Sequence, residues 1–270
     1  MDPTPRICFV GDTHGVRERT EQVVARAGGL GCHTIIQVGD FGIWPEMRNS
    51  RPSTDGFEVE VAAMCERSGV DLLLFVDGNH DWHPWLAVQR RKYAERTQTK
   101  DPASVPVEET GRVRWVPRGT VLGVAGLRIL FCGGAPSFDP ELRVPGLSWW
   151  PEEEIAPVDV ARACASGAAA GGVDVLVTHD VSELVEVPGI CDDWDPGIES
   201  RHKVERIRSA VRPSWAFSGH YHKRVSATVG DAGSSTRWEL LGCDGNRVED
   251  QMAVVDVAAL AGTPTVSQVA

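Results

Sequence analysis

Eight side chains able to bind a metal ion or move a proton stand at short polar breaks in the chain. They are Asp12 and His14, then Asp40, then Asn79 and His80, then His179, then His220 and His222. The set holds two carboxylates, one amide and five imidazoles, with no thiolate. Mixed oxygen and nitrogen donors suit manganese, iron or zinc and disfavour Cu(I) or an iron–sulfur cluster. There are too many donors for one tetrahedral zinc, and about enough for two neighbouring ions sharing a carboxylate. Two ions about 3.5–4 Å apart supply a hydroxide nucleophile and clamp a phosphoryl group during in-line displacement. Singly, each residue has a plainer role, since Asp and Asn after Gly serve turns and helix caps for backbone reasons. Their order along the chain is what sets them apart.

Each group follows an apolar run that reads as a buried strand. Arg6–Val10 ends at Gly11-Asp12, Thr34–Val38 at Gly39-Asp40, and Asp71–Val76 at Asp77-Gly78-Asn79-His80. Val173–Val177 ends in Thr178-His179-Asp180, and Ser214–Ser218 precedes His220 and His222. Helical spacing over Val16–Ala27, Phe57–Arg67, Val158–Ala170 and Ser200–Val211 separates these runs. Strand, polar turn and helix in alternation imply parallel strands covered by helices, whose ligands collect at the carboxyl ends of the strands. In extended backbone, residues two apart face the same side, so Asp12/His14 and His220/His222 each point at one site.

Val113–Cys132 carries two β-type runs, around Trp115 and Leu127–Phe131, and is expected to pair antiparallel. The chain beyond Ser214 reads as strands to about Val257, with turns at Gly230-Asp231 and Asp244-Gly245-Asn246. The expected fold is α/β, a four-layer α-β-β-α sandwich of two mixed sheets flanked by helices, as one domain over residues 1–270. Gly134–Glu154 and Val181–Glu199 break the rhythm; the second holds Glu183, Glu186, Asp192, Asp193, Asp195 and Glu199 with no Lys or Arg. Long irregular segments in a compact domain often border a functional site.

The 270 residues carry a net charge of −11, with 42% hydrophobic and 24% charged residues. That composition excludes wholesale disorder, and the charge excludes a broad surface for coating nucleic acid. A small phosphate-bearing ligand at a local positive centre remains compatible with it. No secretory pattern and no apolar run of membrane-spanning length occurs. Seven scattered cysteines without a Cys-x-x-Cys pair read as reduced, mostly buried thiols. The expectation is a soluble cytoplasmic protein without membrane partners.

The ordered blocks Gly11-Asp12-Thr13-His14-Gly15, Gly39-Asp40, Gly78-Asn79-His80-Asp81, Thr178-His179 and Gly219-His220-Tyr221-His222 resemble the calcineurin-like metallophosphoesterase superfamily. Gly39-Asp40-Phe41-Gly42-Ile43-Trp44-Pro45 and Ser148-Trp149-Trp150-Pro151-Glu152-Glu153-Glu154 resemble uncharacterised actinobacterial and phage members most closely. The resemblance implies a dinuclear centre of manganese and/or iron, or zinc. One ion falls to Asp12, His14, Asp40 and His222, the other to Asp40, Asn79, His179 and His220, with Asp40 bridging. It implies hydrolysis of phosphate mono- or diesters by a bridging hydroxide. His80 then contacts the phosphoryl oxygen or protonates the leaving group, and Asp81 orients that imidazole and keeps it cationic.

Arg118 and Arg143 are candidate phosphate contacts because a guanidinium grips two oxygens at once. Trp44, Trp82 and Trp85 lie just after motif blocks and could wall a cleft, though core packing accounts for them equally well. His33, His83 and His202 read as ordinary structural histidines, and Arg90, Arg91, Lys92, Arg96 and Lys100 as a solvated helix face. The expected partner is a small phosphoester, nucleotide-like or otherwise phosphorylated. Two other readings stay open: a catalytically silent metal-binding scaffold, and a nuclease of the same fold, which the acidic balance disfavours.

Overall fold

The computed structural model describes residues 5–48, 51–190, 195–230 and 235–260. The first half of the chain runs β1 (Arg6–Val10), α1 (Arg17–Gly29), β2 (Cys32–Gln37), the hairpin strands β3 (Pro45–Arg48) and β4 (Arg51–Thr54), α2 (Phe57–Ser68), β5 (Leu72–Phe75), α3 (His83–Thr97), β6 (Val105–Pro106) and β7 (Val113–Trp115). The second half runs β8 (Thr120–Val124), β9 (Leu127–Cys132), α4 (Pro157–Ala169), β10 (Val175–Thr178), α5 (Ile198–Val211), β11 (Trp215–Ser218), β12 (Val225–Val229), β13 (Thr236–Leu240), α6 (Val248–Gln251), β14 (Met252–Asp256) and α7 (Val257–Leu260).

Two six-stranded sheets result, ordered β14-β1-β2-β5-β7-β6 and β12-β13-β11-β10-β9-β8. In each, four central strands run parallel and the two outer strands antiparallel. Side chains of successive strand residues point to opposite faces, and here both faces are dry. Ile7 and Phe9 of β1, with Ile36 and Leu74, pack toward Ile129, Phe131, Val175, Val177 and Phe217 of the other sheet. Cys8 and Val10, one residue out of phase, pack instead with Val23, Val24 and Ala27 of α1 and Phe57 and Val61 of α2. On the far side, Leu130, Leu176 and Ala216 meet Val160 and Ala163 of α4 and Val204 and Ile207 of α5. Three apolar seams between four layers explain why the parallel strands read as continuous apolar runs.

The run around Trp115 and the run over Leu127–Phe131 do not pair, contrary to expectation. β7 joins the first sheet parallel to β5, whereas the antiparallel partner of β9 is β8. The chain crosses between sheets at Val116–Gly119, so Gly119 ends the crossover and the Gly123–Gly126 stretch forms the hairpin. Outside the predicted elements lie the β3/β4 hairpin and the short β6. Arg91, Lys92 and Arg96 are exposed on α3, as a solvated face requires. Among the described residues six cysteines are free, five of them buried. Asp192, Asp193 and Asp231 lie outside the described residues. No helix among them is long and apolar enough to cross a membrane.

Phe9 and Phe217 stack across the inter-sheet seam with ring centroids 3.6 Å apart, both fully buried. Phe217→Ala should lower the free energy of unfolding by about 3–5 kcal/mol, read from guanidinium denaturation, because the rigid sheets cannot close the gap.

Candidate metal centre

The loops after β1, β2 and β5, from one sheet, meet those after β10 and β11, from the other. Backbone hydrogen bonds lock the first two together, with Thr13 N–H and His14 N–H both donating to the Asp40 carbonyl at 3.1 and 2.9 Å. The buried Gln37 side chain donates to the carbonyls of Gly11 and Gly39 in the same pair of loops. Gln251 donates to the Asp12 carbonyl at 2.8 Å, bracing it from α6.

Asp12, His14, Asp40 and His222 offer ligand atoms that all lie within 4.8 Å of one another. Asp40 Oδ2 stands 3.4 Å from Nε2 of His14 on one side and 3.4 Å from Nε2 of His179 on the other. His179 Nε2 lies 3.2 Å from Asn79 Oδ1, and the fully buried side chain of His179 also contacts the Val38 carbonyl through Nδ1 at 2.9 Å. His222 Nε2 lies 3.2 Å from Asp12 Oδ2, and the His179 and His220 rings are 5.0 Å apart. All seven expected ligands therefore meet at one seam between the sheets, with Asp40 between two groups.

Two buried atoms in this cluster have no hydrogen-bond partner: Asp40 Oδ2 and His220 Nε2. A buried carboxylate oxygen and a buried imidazole nitrogen left unpaired are costly in a folded protein unless a cation accepts their lone pairs. The donor set and these orphaned atoms fit divalent transition-metal ions.

Electrostatics agree. Burial opposes the charge on His14, but Asp40, Asp12 and Asp244 outweigh it and raise the pKa to about 10. Burial likewise opposes His179, and Asp40 overrides it to about 9. The hydrogen bond to Asp12 leads the rise of His222 to about 10. Burial would push Asp40 up, yet His179 and His80 hold it well below the usual carboxylate range. Burial, reinforced by His179, holds His220 well below its ordinary value. Protons and metal ions thus compete for the same negative centre.

The backbone is strained where it delivers these ligands. His14, Asp40, His220 and His222 all have positive φ, at 43°, 54°, 74° and 55°. The other non-glycine residues of that kind among the described residues, Gln98, Ala125 and Arg212, sit at two helix ends and a hairpin turn. Glycines in the motifs answer a separate need. A Cβ on Gly78 would run into the Asp40 carboxylate and backbone, and one on Gly219 into the Asp12 carboxylate.

Several expectations need correction. Asp81 does not reach the His80 ring; its carboxylate accepts from the N–H groups of Phe41, Gly42, Ile43 and Gly78 at 2.9–3.3 Å. It binds two ligand loops together. Burial, then the nearby Asp40, pushes its pKa up to about 7. Arg143 lies against His80 instead, with Nη1 2.8 Å from Nδ1 and Nη2 3.1 Å from Nε2, while its Nε donates to Asp139 at 2.7 Å. Burial, aided by Arg143 against the pull of Asp40, lowers the His80 pKa, the opposite of the expected carboxylate support. Arg118 is not a substrate contact. Its guanidinium is spent on Asp77, Asp159 and the carbonyls of Glu152, Glu153 and Glu154. Trp82 and Trp85 pack in the helix-side core, whereas Trp44 stands 5.7 Å from the His80 ring and donates to the His14 carbonyl. His33, His83 and His202 pair with Asp71, Asp77 and Glu183 away from the cluster.

Residues that sequence reasoning passed over support the ligands. Asp244 Oδ1 lies 2.5 Å from Nδ1 of His14, fixing the ring that presents Nε2 to the cluster. Buried Glu153 accepts from Ser137 N–H and Oγ and from Trp149 Nε1, and Ser137 Oγ in turn accepts from Asn79 Nδ2 at 3.3 Å. That contact turns Asn79 Oδ1 toward the cluster. The tryptophan–glutamate motif flagged in the sequence is thus a brace for one ligand. A cleft of about 450 Å³ opens above the centre, lined by Asp40, Asn79, His80 and His220 and walled by Phe138, Arg143 and Val187–Ile190. Both irregular segments border it, as expected.

The calcineurin-like phosphoesterase family profile matches residues 5–224. No curated protein sequence matches the chain. Among solved structures, TT1561 of Thermus thermophilus superposes with a TM-score of 0.58 at 14% identity over 98% of each chain. A dimetal phosphatase from Danio rerio gives 0.52 at 14% identity, covering 94% of this chain and 93% of that one. GAP50, the anchor in the inner membrane complex of Plasmodium, gives 0.52 at 10% identity, covering 93% and 80%. At these identities the likeness is one of fold.

With the pKa of His14, His179 and His222 raised to about 10, 9 and 10, metal uptake at this cluster should release protons. Apparent affinity should then fall about tenfold for each unit by which pH is lowered, per proton displaced, measurable by calorimetry in buffers of different ionisation enthalpy. Asp244→Ala should weaken metal binding about 10–100-fold by freeing the His14 ring, read by competition with a chelating dye.

Proposed function

The chain belongs to the calcineurin-like phosphoesterase family, and on that premise we propose that it is a two-metal hydrolase of phosphate mono- or diesters. One observation carries the reading: the buried Asp40 Oδ2, which has no hydrogen-bond partner, lies equidistant from the nearest nitrogens of His14 and His179. Asp12, His14, Asp40 and His222 would hold one ion, and Asp40, Asn79, His179 and His220 the other. Manganese and iron suit these donors best, with zinc also compatible. Bound there, the ions supply Lewis-acid charge and a nucleophile drawn from water at neutral pH.

The remaining work falls to protein groups around the cleft. His80 N–H donates to Asp40 Oδ1 at 2.7 Å, which fixes the start of α3 and aims the imidazole at the cleft. Arg143 presents its fork beside that ring, so the two side chains together face the phosphoryl oxygens. An arriving phosphoryl anion raises the His80 pKa again, so the imidazole takes up a proton from solvent and passes it to the leaving oxygen. Glu153 and Ser137 keep the Asn79 amide from flipping. Trp44 covers the backbone of His14 and narrows the entrance beside His80.

A silent scaffold of the same fold would be expected to shed ligands or the proton donor, and all eight side chains stand here. A nuclease is disfavoured by the acidic balance and by a cleft sized for a small molecule.

Metal-loaded protein should hydrolyse an aryl phosphomonoester or phosphodiester, and chelation should abolish turnover until metal is restored. His80→Ala should lower kcat about 10²–10⁴-fold with metal content unchanged by elemental analysis. Absence of metal binding under every reconstitution would sink the reading; full metal loading without turnover on a broad phosphoester panel would favour the scaffold.

A further inference from the structure

The cleft over the metal centre is chemically two-sided. One side is the ligand cluster with His80 and Arg143. The other is apolar: Phe138 from the Gly134–Glu154 segment, and Val187, Pro188 and Ile190 from the second irregular segment. The Phe138 ring rests 4.5 Å from that of His220 and 5.5 Å from that of Tyr221, so the apolar wall begins directly at the ligands. Both walls are held in place. Ser137, next to Phe138, is tied to buried Glu153 at 2.6 and 3.0 Å. Arg201 of α5 donates to the Val185 carbonyl at 2.6 Å, and a turn from Val187 to Ile190 closes at 3.0 Å. This is a preformed pocket of the size that takes a small molecule.

Cations are scarce on the apolar side. Arg143 is engaged with His80 and neutralised by Asp139, and Lys223 is the other basic side chain lining the cleft. A second or third phosphate would find Asp139 rather than a donor fork. Sugar hydroxyls or base nitrogens lying against Val187, Pro188 and Ile190 side chains would lose hydrogen bonds to water without replacement. The wall segments are apolar elsewhere along their length too. Of eight large hydrophobic side chains that are exposed among the described residues, five lie on the two wall segments: Phe138, Leu142, Val144, Leu147 and Leu184. The two segments that wall the cleft therefore carry most of the exposed large apolar side chains among the described residues.

We propose that the substrate is a soluble ester of a single phosphoryl group whose organic part is apolar, aryl or short alkyl, seated between Phe138 and Val187–Ile190. The inference rests on the phosphoesterase reading above and narrows it. Hydrolysis splits the ester P–O bond with addition of water, leaving inorganic phosphate or a monoester and releasing the apolar alcohol with the proton from His80.

The test is a matched series on the metal-loaded protein: ethyl, butyl, hexyl and phenyl phosphate against glycerol phosphate, glucose 6-phosphate and adenosine monophosphate. Burial of each methylene should raise kcat/KM about three- to fourfold, with hexyl and phenyl phosphate above all polar esters. Phe138→Ser and Ile190→Ser should flatten that slope. Calorimetric binding of methyl- and hexylphosphonate, which cannot be hydrolysed, gives a readout independent of turnover, and the hexyl compound should bind more tightly. Equal kcat/KM across the series, or preference for the sugar or nucleotide ester, overturns the inference and leaves the phosphoesterase reading intact. If none of these monoesters and no matching methyl diester turns over, that reading falls, and equal binding of the two phosphonates overturns the apolar pocket as well. Turnover confined to phosphatidic acid in phosphatidylcholine vesicles would overturn the soluble form of the substrate.

Discussion

Everything around the aspartate–histidine cluster answers to one buried carboxylate. Asp40 has a 1% exposed side chain, accepts the His80 N–H through one oxygen, and leaves the other between two imidazoles. A charge this dry is tolerable only when it is paired. The fold meets that demand by bringing histidines from both sheets to it. The loop after β2 must therefore turn sharply at Asp40, with Gly78 passing close by and Asp81 collecting the N–H groups that the turn exposes. Remove the charge, and the arrangement of five loops loses its reason.

That dependence explains what could be read in the sequence and what could not. The alternation of apolar runs with amphipathic stretches signalled parallel strands and covering helices, because strands dry on both faces have no other pattern available. Asp12, Asp40, Asn79 and the histidines were legible because each ends such a run. Asp244 was not, since 230 residues separate it from His14 and its local signature is that of a turn. The Arg143–His80 contact was hidden for the same reason: it spans 63 residues and joins a strand end to an irregular segment. Asp81 was misread because its position beside His80 in sequence suggested a partner, whereas the backbone there turns the carboxylate toward N–H groups of another loop. Arg118 was misread because composition cannot show that Asp77 and three carbonyls already claim it. Pairing of the Trp115 and Leu127–Phe131 runs failed at the point where a connection leaves one sheet for the other, which short-range patterning does not encode.

The two irregular segments do more than fill space. One contributes the Ser137–Glu153 brace and the arginine beside His80, the other the opposite apolar wall, and Arg201 anchors that wall to a helix. Ligand geometry and cleft shape are thus coupled through the same stretches of chain. A change in the Trp149–Glu154 region would disturb Asn79 and Phe138 together.

The left-handed backbone at His14, Asp40, His220 and His222 leaves these positions locally frustrated. Side chains with a Cβ are held where glycine would fit more comfortably, at a cost of about 1–3 kcal/mol each. Residues chosen for folding alone would not be these. Backbone comfort and metal retention therefore pull the four sites in opposite directions, with glycine favoured by the first and ruinous for the second. Such opposition marks out a ligand set without any knowledge of its chemistry.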